Sequence, residues 1–567
     1  MKRFVILLLI MSMLFSIVAC GIQVETTTAE PIETSNKPIV VTKPAGETVA
    51  KPVDTTKEPF ETTGGYPLET TRPVSETTPK VPTLETTRPV SETTPKVPTV
   101  ETPSQPQGVL RYPAQLEGIK KHLEDSVVQF IYVEGNHGTY TADSLWIDID
   151  SAAEIDAVDQ QIIDRNNRIY EDLGISIEVF TDPTLGISGL QSFAKIYFDV
   201  QDPYLDVYCG YQYFDIKVAL TGNLYNLNTI VNEKGKSIID ITNPYWATNY
   251  INSITYNDQM YWVTGDLALR YTGGLYCTFV NLDLYDMYVK NNYEGKSIYD
   301  IVNEKKWTMQ TMLDMADMVD FDTDANGKAS AGDRLGIVFE PNDVLDALAF
   351  GCKINFSTRS TVAGKDTIAI ALYTDQRADK LANYINTMWD SLYALNAGSN
   401  DSRSMMPIFA QGNTLFAVNK LYQSSAYLSR MDRWAMIPLP LLDENQTKYG
   451  SGVHDSVTIY GISKFSNCPI AAAATLELMA YYSRVLVTPI FVESLAKTKE
   501  NADMVELISK NVDTDFAVAW SESISNIALV YRSKDNVARF ASYVKVCSRS
   551  WSEQLKALLT DIETIEL

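Results

Sequence analysis

The sequence predicts an α/β body from about residue 108 to the C terminus, behind a long segment that cannot build a core. Three features point to this: short β-branched and aromatic runs, apolar residues at helical spacing between them, and short connections. Val127-Val128-Gln129-Phe130-Ile131-Tyr132-Val133 reads as a strand. Ser151-Ala152-Ala153-Glu154 reads as a capping box, in which serine and glutamate satisfy the first free amides of a helix. Ile155, Val158, Ile162, Ile169 and Leu173 then share one helical face, and Gly174 stops the helix. Ile175 to Phe180 is the next strand, and Asp206-Val207-Tyr208 lies in another short apolar run. Strand, helix and strand with short links make a right-handed crossover, hence a parallel sheet. Ligands of such sheets sit beyond the carboxyl ends of the strands.

The chain has 567 residues, enough for a large body or several domains. Its 45% hydrophobic and 21% charged content fits a sizeable core. A formal charge of -24 makes a surface that repels nucleic acid and anionic lipid headgroups, so no nucleic-acid partner is expected. Ile470 to Val492 is apolar but is interrupted by Glu477 and Arg484, and it reads as a buried helix. The six cysteines are Cys20, Cys209, Cys277, Cys352, Cys468 and Cys547. None forms a CxxC pair or a metal spacing, so isolated thiols are expected.

The N terminus is MKRFVILLLIMSMLFSIVAC. A positive start, a short apolar core and small residues at the exit are the marks of an export signal. The apolar run falls short of the roughly 20 residues that span a bilayer. With Cys20 at the exit it resembles the lipobox of bacterial lipoproteins. That resemblance implies removal of residues 1–19, diacylation of Cys20, and a lipid anchor on the extracellular face of the cell membrane. Residues 20–107 are rich in Thr, Pro, Glu, Val and Lys, and Leu68 to Thr83 recurs letter for letter as Leu84 to Thr99. A repeat with no aromatic residue stays solvated and extended, as a stalk does. The body is then 108–567.

Within the body, an ordered series of motifs carries a resemblance. It begins with Asp164-Arg165-Asn166-Asn167 and the following GISIEV, then Pro203 to Tyr208 and Gly222 to Leu227. Asn243-Pro244-Tyr245-Trp246, Tyr261 to Asp266, Phe279-Val280-Asn281 and Trp307-Thr308 follow. Phe409 to Phe416, Ile437 to Pro440 and Ala474 to Ala480 complete it. In this order they resemble the extracellular solute-binding proteins of ABC importers, especially the sugar-binding lipoproteins of Gram-positive bacteria. The resemblance covers nearly all of 127–567. It implies a two-lobed periplasmic-binding-protein-like fold with mixed sheets, a hinge and an interlobe cleft. It also implies a carbohydrate ligand, an ABC permease as partner, and no chemistry on the solute. The chain departs from the pattern by its long stalk and by an insert-like stretch, Ser357 to Ile370.

Sugars present apolar faces and rings of hydroxyls, which call for aromatic platforms with polar side chains at the rim. Tyr208 and Tyr211 follow a strand end. Trp262, Asp266 and Arg270 lie in the segment that the resemblance places before the interlobe crossing, and Trp246 is the next candidate.

Asp322 to Asp333 is the sharpest chemical motif. Asp322, Asp324, Asn326, Ser330 and Asp333 occupy positions 1, 3, 5, 9 and 12 of a twelve-residue Ca²⁺ loop, with Gly327 at 6 and the Lys328 carbonyl at 7. Aspartate at position 12 reaches less far than the usual bidentate glutamate. The loop resembles the dockerin variant. A helix from Thr308 to Val319 precedes it and a strand, Leu335 to Phe339, follows, so it is half an EF-hand with a structural role for the ion.

Three other readings are an enzyme, an adhesin and a sensory binding protein. A glycoside hydrolase needs two carboxylates across a sugar, and among 71 acids none stands out. The histidines are His122, His137 and His454, and no HExxH, nucleophile elbow or phosphate loop is present. Only His454 and Asp455 suggest part of a Ser-His-Asp set. No enzyme is expected. A cell-surface adhesin would present a rigid carbohydrate face instead of a closing cleft, and a sensory binding protein would share the cleft.

Overall fold

The computed structural model describes residues 110–119, 123–132, 155–181, 189–342, 344–398 and 402–565. The export signal, Cys20, the stalk and the Ser151–Glu154 capping box lie outside the described residues. Two separate mixed sheets organise the body.

The first sheet has the order β11-β3-β1-β2. It contains β1 (Val127–Tyr132), β2 (Ser176–Thr181), β3 (Val207–Tyr211) and β11 (Thr458–Ile462). β1 runs parallel to both β2 and β3, as the crossover requires, and β11 is antiparallel to β3. Helix α1 (Ala157–Leu173) links β1 to β2, with Val158, Ile162, Ile169 and Leu173 buried. Asp156 and Asp159 form its capping box, and Gly174 ends it at φ +68°. The helix therefore starts later than Ser151 predicts, and Ile155 is 37% exposed instead of facing the core. Helices α2 (Leu190–Asp199) and α3 (Thr248–Ile254) complete this part of lobe 1.

The second sheet has the order β10-β4-β9-β5-β8. Its strands are β4 (Tyr276–Asn281), β5 (Leu335–Phe339), β8 (Ala394–Asn396), β9 (Thr414–Lys420) and β10 (Trp434–Ile437). β5 is parallel to β8 and β9, whereas β4 is antiparallel to β9 and β10. All five β5 residues are buried, the mark of a strand covered on both faces. Helices α4 (Met309–Val319), α5 (Val344–Gly351) and α6 (Gln376–Asp390) belong to this lobe 2. Thr308 caps α4, which ends at the acidic loop as predicted.

The chain crosses between the lobes three times. The first crossing leads into β4 and the second returns to β11. They are bonded to each other: Tyr276 N donates to Gly452 O at 3.1 Å and His454 N to Gly274 O at 2.9 Å, around a Leu275–Val453 bridge. The third crossing is the helix from Pro469 to Ala496, 28 residues long and apolar enough by composition to span a membrane. It is buried, as predicted, and consists of α7 (Pro469–Tyr482), a π turn and α8 (Thr488–Ala496). The two charges that interrupt its apolar stretch, Glu477 and Arg484, are both satisfied. The Glu477 carboxylate accepts from Gln115 Nε2 (2.8 Å), Tyr245 OH (2.5 Å) and Trp246 Nε1 (2.9 Å), and Arg484 pairs with Asp266 at 3.4 Å. α9 (Lys499–Ser509) then packs on β10, where Asn501 Oδ1 accepts from Met436 N at 2.8 Å.

Residues 357–370 are the hairpin β6 (Ser357–Val362) and β7 (Lys365–Ile370), which rises from lobe 2 between α5 and α6. It reaches lobe 1. The Arg359 guanidinium donates to the carbonyls of Asn252 (3.0 Å), Ser253 (2.9 Å) and Thr255 (2.6 Å), the carbonyl-rich end of α3. Asp366 N donates to Asn257 Oδ1 at 2.8 Å. The insert is thus an interlobe clasp. The C-terminal helix α10 (Phe540–Thr564) packs beside it, and Glu563 Oε1 accepts from Tyr256 OH and from Asn257 Nδ2, both at 3.2 Å.

Candidate functional site

A cleft lies where β3 ends, β4 begins and the second crossing passes. The cavity it encloses is small, about 30 Å³, and it opens to solvent. Lobe 1 supplies Gln212 and Tyr213, directly after the carboxyl end of β3. The crossings supply Tyr276, Val453 and Asp455, and lobe 2 supplies Asp346 and Phe350 from α5, with Phe356 ahead of the hairpin. Four aromatic rings therefore line a space between two sheets, the arrangement a sugar face needs. Phe350 and Tyr276 stack at 6.3 Å. Gly452 permits this packing, because a Cβ there would meet the Phe350 ring at 2.3 Å.

The remaining wall is a strap, residues 514–532 of the C-terminal region, tied to both lobes. Gln212 Nε2 donates to Ala519 O at 2.6 Å, Tyr213 OH to Asn526 Oδ1 at 2.9 Å, and Lys217 pairs with Glu522 at 2.8 Å. On the lobe 2 side Arg532 Nε donates to Asp346 Oδ2 at 2.9 Å, and Ser357 donates to Asp515 through N (2.8 Å) and Oγ (2.6 Å). Burial raises the Tyr213 hydroxyl above its ordinary range, and the Asp455 and Glu522 charges add to the shift.

The residues predicted for the cleft fall elsewhere. Tyr208 is fully buried, donates to Asp215 Oδ1 at 2.8 Å, and meets Trp262 edge-on at 5.8 Å. Trp262 Nε1 donates to Ile216 O at 3.0 Å, and Trp246 Nε1 is held by Glu477. These three aromatic rings are core members of lobe 1 with their polar atoms already satisfied, so they offer no open face to a ligand. Asp266 is buried against Arg484, and burial pushes its carboxyl up to about 6. Tyr211 is buried with Arg270 over its ring at 4.7 Å, at the end of β3 beside the cleft but not on its wall. The carboxyl-end rule pointed to the right strand. The wall begins one residue further on, at Gln212, where the chain turns. Gly210 permits that turn: a Cβ there would meet Asp215 at 2.4 Å, and Asp215 Oδ2 accepts from Tyr211 N at 2.7 Å.

His454 and Asp455 do not assemble a catalytic relay. Ser456 Oγ at 2.7 Å and Asp455 Oδ1 at 3.3 Å both approach the same nitrogen, Nδ1. A triad needs serine and aspartate on opposite nitrogens.

The acidic loop is a separate site on lobe 2. Phe321 and Arg334 pair by backbone hydrogen bonds and fasten its two ends. The Asp322, Asp324 and Asp333 carboxylates come within 4.8 Å of one another, and Gly327 takes the tight turn at φ +72°. Asn326 Nδ2 donates to Asp324 at 2.7 Å and Ser330 Oγ to Asp333 at 2.7 Å, so both predicted ligands sit within the cluster. Lys328 N donates to Asn326 Oδ1 at 2.8 Å. The Ser330 hydroxyl and the backbone amides hold the Asp333 carboxyl below its usual range. Three converging carboxylates with an adjacent amide and hydroxyl are a hard-oxygen set that fits Ca²⁺.

No protein-family model matches the sequence. No curated protein matches it either. Among solved structures, the chain is similar to sugar-binding proteins, of which three serve as examples. The first is the ABC substrate-binding protein Lmo0181 from Listeria monocytogenes in complex with cycloalternan, at 11% identity, TM-score 0.47, covering 76% of this chain and 99% of that one. The second is the GacH receptor of Streptomyces glaucescens, solved unliganded and with acarbose, at 13% identity, TM-score 0.47, with 77% and 99% covered. The third is the sugar-binding protein MalE from Xanthomonas citri, at 15% identity, TM-score 0.48, with 77% and 100% covered.

Proposed function

We propose that this chain is an extracellular solute-binding protein that captures a sugar, an oligosaccharide, for an ABC importer. One observation carries the reading: an aromatic-walled cleft between two sheets that are joined by three crossings. Tyr213 and Phe350, the half-buried rings of the wall, supply faces for sugar rings, and Asp455 supplies an acceptor for hydroxyls. Ligand in the cleft bridges the lobes and favours the closed arrangement, which a permease then recognises. Calorimetry against a panel of neutral oligosaccharides tests this. Saturable binding that Phe350→Ala weakens at least tenfold is expected, and time-dependent product release would turn the assignment to an enzyme.

The anchor belongs to the same reading. Cys20 carries the lipid and residues 21–107 hold the body off the membrane. Cys20→Ser should move the chain from the membrane fraction to the medium, and unchanged membrane association would refute the anchor.

The acidic loop holds one Ca²⁺ through Asp322, Asp324, Asn326, Ser330, Asp333 and the Lys328 carbonyl, and it stiffens the link between α4 and β5. EGTA should lower the melting temperature by several degrees and calcium should restore it. No shift, with no metal by mass spectrometry, would remove the ion from the account.

A further inference from the structure

Among the described residues, the cleft lining contains two carboxylates, Asp346 and Asp455, and no lysine, arginine or histidine side chain. The cations nearest the cleft are each already paired, Arg532 with a carboxylate of the wall itself. Arg532 is bound to Asp346 through Nε at 2.9 Å, and Lys217 to Glu522 at 2.8 Å. His454 Nδ1 meets Ser456 Oγ at 2.7 Å and Asp455 Oδ1 at 3.3 Å. Arg270 lies over Tyr211 at 4.7 Å.

Two neutral polar side chains of the wall are engaged as well. Gln212 donates to Ala519 O and accepts from Tyr250 OH at 3.1 Å, and Ser521 Oγ accepts from Ala528 N at 3.0 Å. Asp346 keeps only 14% of its side chain exposed behind its ion pair, whereas Asp455 keeps 38%. Asp455 is therefore the accessible charge of the cleft, and it is an acceptor. A hydroxyl or an ammonium group finds a partner there. A carboxylate, sulfate or phosphate meets like charge in a partly desolvated space with no lining cation to offset it.

We infer that the cleft selects its saccharide by charge, accepting neutral and amine-bearing sugars and rejecting acidic ones, with Asp455 as the discriminating residue. This rests on the capture reading above and adds the class of ligand to it.

The test titrates wild type, Asp455→Asn and Asp455→Glu on a glycan array that carries neutral, amino and uronic or sialylated oligosaccharides. The strongest wild-type signals should come from neutral or amino glycans, with acidic counterparts of the same length at least tenfold weaker. Asp455→Asn should shrink that gap to threefold or less, and Asp455→Glu, which keeps the charge, should preserve it. Acidic glycans bound as tightly as neutral ones by wild type would overturn the inference while leaving sugar capture standing. An unchanged gap in a folded Asp455→Asn would overturn the role of Asp455. No signal from any glycan would overturn the capture reading, and this inference with it.

Discussion

Two sheets that share no strand are held together because one chain passes between them three times. Everything else in the body follows from that constraint. The first two crossings are hydrogen-bonded side by side at Leu275 and Val453, so relative motion of the lobes must bend about that pair. The third is a buried helix with a π turn at Ser483–Val487, a local break where a helix can flex. The aromatic wall gathers at this axis, with Tyr276 on one crossing and Val453 on the other.

Two further devices join the lobes. Arg359 takes three carbonyls of lobe 1, and the strap is tied to Lys217 in lobe 1 and Asp346 in lobe 2. Hydrogen bonds from a charged donor contribute roughly 1.5–3 kcal/mol each when water is excluded. Arg359 is 31% exposed, so its contribution is smaller than the sum of three such bonds. A contribution of that size lies within the range that a ligand's differential affinity can shift.

The sequence made the elements near chain centre legible where local chemistry decides them. Val127–Tyr132, Leu335–Phe339 and the Thr308-capped helix follow from β-branched runs and a capping residue. The acidic loop was legible because its ligands are contiguous. The cleft was not, because its wall is assembled from five separated stretches, and Tyr213, Tyr276, Phe350 and Asp455 become neighbours only through the crossings. Aromatic residues in the first lobe misled for a physical reason. Tyr208, Trp246 and Trp262 satisfy their polar atoms internally, and residue type alone does not separate such a core ring from a platform. The insert at 357–370 was visible as a departure, but its partner, the end of α3, lies about a hundred residues away.

The central claim is that ligand binds between the lobes and draws them together. The distance between fluorophores on exposed Lys234 of lobe 1 and exposed Lys306 of lobe 2 tests it most directly. With an oligosaccharide that binds by calorimetry, the account predicts a shorter mean distance and a narrower distribution at saturation. An unchanged distance at saturation would contradict it and would assign the bound sugar to a rigid surface instead.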